Sequence, residues 1–269
     1  TANRDAAVER MAKVGSPFEY LWGTTRVADY AVIAQRYMHE HGTTQEQLAA
    51  VAVAARHGAT LNPLATMGHR GAITIDDVMT SRMIADPLKL LDCSIINQGG
   101  GCIVLTGVDL ARASSDHQPV LLRGWGECHT YLDPHVVNLT SFGGGTAANA
   151  AFEMAGVERS DIDVAAFADY FTINVPIELE DAGFCGRGEG GAFVGSGALE
   201  IGGELPTNTG GGYLSCSRAG ACSLLSMIEL VIQLRHEAGP RQVDNATLAY
   251  SHAISGVMQA HYTHILGRS

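Results

Sequence analysis

The stretch Val164-Ala165-Ala166-Phe167-Ala168-Asp169-Tyr170-Phe171-Thr172 changes character halfway along its length. Its first five residues form an unbroken apolar run, too short for an ordinary helix, and read as a strand covered on both faces. Asp169-Tyr170 then puts polar and aromatic chemistry at the strand's C-terminal end, where α/β folds collect ligands. Outward from this point the pattern alternates. Downstream, 173–182 reads as a helix with Pro176 near its start. Upstream, Gly143-Gly144-Gly145 leads into the Ala-rich helix 146–155, and 120–123 and 102–106 read as short strands, the latter preceded by Gly99-Gly100-Gly101. Segment 219–236 is apolar nearly all round, through Leu224, Leu225, Met227, Ile228, Leu230, Val231 and Leu234, which predicts a helix buried on every side. Strands at 246–251 and 257–265 close the chain. Alternating strands and helices after residue 100 predict a layered α/β domain.

Residues 1–95 have another texture. The start, to about residue 22, reads as irregular, with Gly15 and Pro17 as breakers. Val27, Tyr30, Ala31, Ile33, Ala34, Tyr37 and Met38 recur at helical spacing, and Gly42 ends that helix. Thr43-x-x-Glu46 reads as a capping box opening a second helix over 47–56, closed by Gly58. Asn62-Pro63 is a turn, and Thr74-x-x-Asp77 caps a helix over 78–84 that Asp86-Pro87 stops. With so little strand, this part reads as a helix-rich cap laid against something else.

Composition narrows the function. The 269 residues are 46% hydrophobic and 17% charged, with 17 Lys+Arg against 28 Asp+Glu, a net charge of −11. No two basic residues are adjacent, which argues against a nucleic-acid binder. No apolar run is long enough to span a bilayer, so no membrane partner is expected. The opening residues show no signal-peptide pattern, and the six cysteines form no CxxC pair. Both features point to reduced thiols in a cytoplasmic protein, and no metal site is expected.

Glycines are the loudest compositional signal, 32 in all, and three clusters are triplets. A triplet can turn the chain tightly, or present backbone N–H groups to a ligand. Gly211 and Gly212 of the third triplet are substrate-binding candidates in this sense. Gly186-x-Gly188-x-x-Gly191 has the letters of a dinucleotide loop but no buried strand leading into it. Tyr170 at the strand end and Tyr213 after the third triplet are either acid-base phenols or core aromatics. His252 ends a predicted buried strand just before Ser255-Gly256, and reads as a catalytic or a structural histidine. No Gly-x-Ser-x-Gly elbow is present, so an α/β serine hydrolase has no support.

Several segments together resemble one family. They are Asn62-Pro63, Thr74-Ile75-Asp76-Asp77-Val78-Met79-Thr80-Ser81-Arg82-Met83-Ile84-Ala85-Asp86-Pro87-Leu88, Leu91-Asp92-Cys93, Glu178-Leu179-Glu180-Asp181-Ala182-Gly183-Phe184-Cys185, Gly188-Glu189-Gly190-Gly191, Leu205-Pro206-Thr207-Asn208-Thr209-Gly210-Gly211, Gln233-Leu234-Arg235 and Ile265-Leu266-Gly267. Across nearly the whole chain these resemble the sterol-carrier-protein-type thiolases. The resemblance implies a thiolase-like layered αβαβα fold, here lacking most of the N-terminal half-domain. Residues 1–95 would be the cap, 96–115 the last strand and helix of the N-terminal half, and 116–269 the C-terminal half. The missing part would make the chain a fragment, or be supplied by a partner subunit.

Two family motifs are altered. The histidine of the Gly-His-Pro motif becomes Arg218, and His252 aligns with the second catalytic cysteine. None of the six cysteines falls on a catalytic cysteine position. These losses resemble the lipid-transfer-protein-type aldolases of steroid side-chain breakdown. That resemblance implies retro-aldol cleavage of a β-hydroxyacyl-CoA without a cysteine nucleophile, with no cofactor beyond the coenzyme A of the substrate. Tyr170, Tyr213, His252 and Asp169 are the expected catalytic residues; Gly211, Gly212, Arg218, Ser255 and Gly256 are expected to bind substrate. A homodimer and a hydratase partner carrying an OB-fold domain are also implied. An acyl-CoA thiolase, or a non-catalytic acyl-CoA or lipid-binding subunit, are the alternatives.

Overall fold

The computed structural model describes residues 25–114, 118–130, 138–217 and 222–269. A four-stranded sheet organises the second half. Its order is β3 (Val120–His129), β6 (Ala260–Arg268), β5 (Leu248–Ser255), β4 (Val164–Ala166). β4 runs parallel to β5, and the remaining pairs are antiparallel. A separate ladder pairs β1 (Met83–Ala85) with β2 (Leu88–Lys89).

Period-two alternation splits the sheet's side chains between two layers. Val164, Ala166, Ala249 and Leu266 pack with Leu230 and Leu234 on one face. Ala165, Phe167, Tyr250 and Ile265 join the larger core on the other. On that second face α5 (Gly144–Ala155) lies directly on β3. Gly124 and Gly126 make this approach possible, because a Cβ on either would sit 2.2 or 2.1 Å from the carbonyl oxygens of Ala151 and Ala147. α6 (Asn174–Ala182) is buried along its whole length, with Pro176 in its first turn.

Two long helices, α1 (Arg26–His41) and α2 (Gln45–Thr60), form a helical layer in the part read from the sequence as a cap. Tyr30, Ile33, Ala34 and Tyr37 of α1 pack on Phe171, Ile173 and Ile177. α2 lays Ala49, Val51, Ala52 and Ala55 on the core that also holds Phe167. Short helices α3 (Ile75–Thr80) and α7 (Gly190–Gly195) pack on α2, α4 (Val108–Ser114) is largely exposed, and α8 (Cys222–Leu234) covers the sheet's first face.

Several sequence expectations shift. The capping box on α2 is Thr44 with Gln47, one residue past Thr43 and Glu46; Thr43 is buried instead. Gly58 does not end that helix. It lies inside it and is needed there for close packing, since a Cβ would be 2.3 Å from the Thr209 carbonyl oxygen. Thr74 and Asp77 form the expected box, but α3 stops at Thr80, because the following residues pair as β1. Segment 101–107 has no regular structure, and Val104 and Leu105 are 88% and 83% exposed. The expected strand at 102–106 lacks a neighbour among the described residues to take its backbone hydrogen bonds. α8 buries Leu230 and Leu234 but leaves Leu224, Leu225, Met227 and Ile228 half-buried. It is covered on one side, not all round. No described helix is long and apolar enough to cross a membrane.

Candidate functional site

The loop leaving β4 is held by buried polar side chains. Asn208 brackets Phe167, accepting from its N–H at 3.1 Å and donating to its carbonyl at 3.0 Å. Glu178 accepts from the Ala168 N–H at 3.1 Å, and Asn174 accepts from the Phe171 N–H at 3.2 Å. Thr172 donates its N–H and its hydroxyl to Asp92 at 3.0 and 2.8 Å. Six consecutive residues are thus fixed at four points, and Tyr170 projects from the middle of the clamp.

Tyr213 comes from a different element, a π-helical turn over Gly212–Cys216. Asp169 joins this turn to the loop. Its carboxylate accepts the N–H groups of Tyr213 at 2.8 Å and Leu214 at 3.3 Å. The two glycines before the tyrosine have a steric reason. Gly211 and Gly212 sit at φ 106° and 55°, and a Cβ on Gly212 would lie 2.2 Å from Asp169 Oδ2. Gly212 lets the carboxylate approach, and Gly211 lets the turn pack on Ala59, whose Cβ would lie 2.7 Å from a Cβ on Gly211. The edge of the cap ties both elements together: Ser94 N–H donates to the Tyr170 carbonyl at 2.9 Å and Ile95 N–H to that of Tyr213 at 3.3 Å.

As a result the phenols stand side by side, with ring centroids 4.9 Å apart and planes at 55°. Tyr213 is buried and Tyr170 half-buried. Complete burial pushes the Asp169 carboxyl up to about 7, although its N–H donors pull the other way. Beside the turn is a cavity of about 300 Å³, with Tyr213, Cys216, Ser217, Asn62, Asn97 and Asn208 in its wall. The Cys216 thiol is pushed up to about 11, chiefly by burial and next by the nearby Glu229 carboxylate. It is therefore a protonated thiol at neutral pH and a poor nucleophile.

His252 belongs to another network. His261 Nε2 lies 3.0 Å from the Met258 carbonyl, which can only accept, so that nitrogen carries the proton. With the ring neutral, His261 Nδ1 accepts from His252 Nε2 at 3.0 Å. His252 Nδ1 is then an acceptor, and the hydroxyls of Tyr250 and Thr263 each lie 3.0 Å from it. Burial holds both rings below the ordinary histidine range, His261 at about 4. Both ring nitrogens of His252 are engaged inside the core. The tyrosine pair and Asp169 are brought together, and His252 is held by other partners. Ser255 is exposed at the end of β5, and Gly256, at φ 70°, turns the chain toward β6. Arg218 lies outside the described residues.

Sequence reasoning missed the clamp. Asn208 and Glu178 lie in quoted segments, but nothing local marks either as a ligand of the 167–168 backbone. Ser94 and Ile95 carry no signal at all, because they act through their peptide groups. No three described His, Cys, Asp or Glu side chains are grouped to hold a metal ion.

Known proteins resemble this chain in sequence and in fold. The family described as Thiolase C-terminal domain-like matches residues 127–268. An acetyl-CoA acetyltransferase of Methanothermobacter thermautotrophicus is 36% identical over 98% of this chain and 72% of its own length. A steroid side-chain-cleaving aldolase of Thermomonospora curvata is 40% identical over 68% of this chain and 48% of its own length. The solved structure described as an Ltp2-ChsH2(DUF35) aldolase superposes with a TM-score of 0.87 at 33% identity, covering 94% of this chain and 68% of that one. The chain thus spans from about half to about three quarters of the relatives it matches.

Proposed function

Because the chain belongs to the thiolase superfamily, we propose that it is a carbon–carbon lyase cleaving a β-hydroxyacyl-CoA by a retro-aldol reaction. One tyrosine of the Tyr170–Tyr213 pair, acting as its phenolate, takes the β-hydroxyl proton. The C–O bond becomes a carbonyl and the Cα–Cβ bond breaks. Its electron pair passes to the thioester as an enolate, and the second phenol hydrogen-bonds the enolate oxygen and returns a proton to Cα. The products are a ketone and a shorter acyl-CoA; the second tyrosine is left as the phenolate and regains its proton from the first, and no covalent enzyme intermediate forms. Asp169 acts through the turn it holds, as a positioning residue. His252 holds the β5–β6 hairpin on this reading, and Ser255, Gly256 and Arg218 are assigned to binding the substrate.

The observation that carries this reading is the 4.9 Å tyrosine pair, assembled from two elements and locked by one buried carboxylate. The likeness to a steroid side-chain-cleaving aldolase supports a bulky, steroid-like acyl group. The test incubates the protein with a β-hydroxyacyl-CoA and follows ketone and acyl-CoA release by mass spectrometry, for wild type, Tyr170→Phe and Tyr213→Phe.

The likeness to an acetyl-CoA acetyltransferase favours a second reading, an acyl-CoA thiolase. Acyl exchange with free CoA, without cleavage of the β-hydroxyacyl-CoA, would establish it. Binding without either reaction would mark a non-catalytic acyl-CoA or lipid-binding subunit. The two-component description of the superposed aldolase supports a partner, and we assign this chain one with an OB-fold domain joined to a hydratase. We also assign it a homodimeric, cytoplasmic state.

A further inference from the structure

Among the described residues two arginines are buried, Arg241 and Arg56, and they differ in their partners. Arg241 is bonded to the Glu229 carboxylate at 2.9 and 3.0 Å. Arg187 is only partly covered and still reaches Asp181 at 2.8 Å and Glu180 at 3.5 Å. Arg56 on α2 is 4% exposed, yet its partner is a neutral hydroxyl, Ser215 Oγ, 2.9 Å from its Nε. Among the described residues no carboxylate pairs with it. The charge that acts on it is another cation, Arg70, on the short helix Gly68–Arg70 that packs against α2. In a chain with 28 acidic and 17 basic residues, two guanidiniums carried on packed helices with no carboxylate partner among the described residues are not a default of composition. A buried cation with a second cation beside it is unfavourable unless an anion completes the group.

The location adds to this. Ser215 lies in the same turn as Tyr213. Thr66 and Met67 donate their N–H groups to the carbonyls of Cys216 and Ser215, both at 3.0 Å, so the segment leading to Arg70 is stitched to that turn. Thr66 and Cys216 also line the cavity that Tyr213 faces. A guanidinium fork suits planar carboxylates and phosphates alike.

We propose that Arg56 and Arg70, with Ser215 as floor, form an oxyanion-binding site for a phosphate or carboxylate group at the edge of the active-site cavity. Placing that anion on the acyl-CoA substrate rests on the retro-aldol reading; the existence of the site does not. The anion is then a phosphate of coenzyme A or an acidic group on the acyl portion, and free phosphate is the remaining source.

Titration calorimetry at fixed ionic strength tests this, with inorganic phosphate, CoA, butyryl-CoA and succinyl-CoA as probes. The proteins are wild type, Arg56→Gln, Arg70→Gln and, as a charge-matched control, the exposed Arg82→Gln. At least one probe should bind at least tenfold more weakly to both Arg56→Gln and Arg70→Gln, and unchanged to Arg82→Gln. Equal loss for CoA and butyryl-CoA identifies a CoA phosphate. Loss confined to succinyl-CoA identifies an acyl carboxylate, and loss confined to inorganic phosphate identifies the free ion. Affinities within twofold of wild type for every probe overturn the site. Should Arg56→Gln fail to fold, Arg70→Gln, at an exposed position, decides alone. Cleavage of a β-hydroxyacyl-CoA with unaltered binding in the variants sinks this inference and leaves the lyase reading standing. Weakened binding with no cleavage by the wild type does the reverse.

Discussion

Asp169→Asn isolates the carboxylate that joins the two tyrosine elements. Burial raises this carboxyl from its ordinary 3.8 to about 7. In the unfolded chain it ionises near 3.8; in the folded protein it stays protonated up to about 7. Its contribution to stability is therefore complete below pH 4 and lost as pH rises to 7. At about 1.36 kcal/mol per tenfold change in acidity the loss is about 4 kcal/mol. Asparagine cannot ionise, so the variant does not lose it. The amide does bring a cost. Its oxygen can accept from the Tyr213 N–H, but its NH₂ then faces the Leu214 N–H that Asp169 Oδ2 now accepts. A donor left unsatisfied in the core costs about 1–3 kcal/mol. Taking that cost as about 2 kcal/mol, the variant should be less stable than wild type by about that much below pH 4, nearly equal to it near pH 5, where wild type has already lost about 1.6 kcal/mol, and more stable by about 2 kcal/mol at pH 8.5. Urea denaturation at half-unit pH steps measures this. The difference between the two proteins is the informative quantity, because His261 pulls the wild-type curve the other way. Its pKa, lowered to about 4, gives stability that is present above pH 6.5 and lost as pH falls. A stability difference that stays constant from pH 5 to 9 would refute the assignment of this ionisation to Asp169.

Tyr170→Phe and Tyr213→Phe each delete one hydroxyl and keep the ring, so each should lose about a hundredfold or more in kcat with little change in Tm; near-wild-type kcat in both removes the pair from the mechanism. His252→Ala removes a ring bonded to Tyr250, Thr263 and His261 and should destabilise by about 3 kcal/mol in urea; a loss under 1 kcal/mol would mean these bonds contribute little. Nitrogen-15 shifts of His252 and His261 should show neutral rings at pH 5, and a protonated ring there would overturn the tautomer assignment. Gly126→Ala places a methyl group 2.1 Å from the Ala147 carbonyl oxygen and should cost about 3 kcal/mol; a Tm within 1 °C of wild type would contradict the close approach of α5 to β3.

Local sequence determined what local physics controls. The apolar run 164–168 forms β4 and its extension because such a run must be covered on both faces, and Asp169-Tyr170 falls at its end as read. Thr74 and Asp77 cap their helix because both partners lie within one turn. Gly42 closes α1 at φ 70°, a conformation glycine adopts without strain. The pairing of Tyr170 with Tyr213 is of another kind. The residues are 43 positions apart by their numbering, and each carried the same two readings, phenol or core aromatic. Only the tertiary structure brings them together, because the contact depends on Asp169 meeting the backbone of a π-helical turn and on Ser94 and Ile95 bonding to both elements. Backbone donors have no side-chain signature, so no motif could announce them. His252 shows the same limit from the opposite direction. The sequence places it at a strand end, whereas β5 runs on to Ser255 and holds it inside the strand, and whether its ring nitrogens are free depends on β6, which returns across a turn and places His261 and Thr263 against it. The exposed 101–107 segment completes the contrast. An apolar run predicts a strand only if another strand lies beside it, and that is a property of the folded neighbourhood, not of the run.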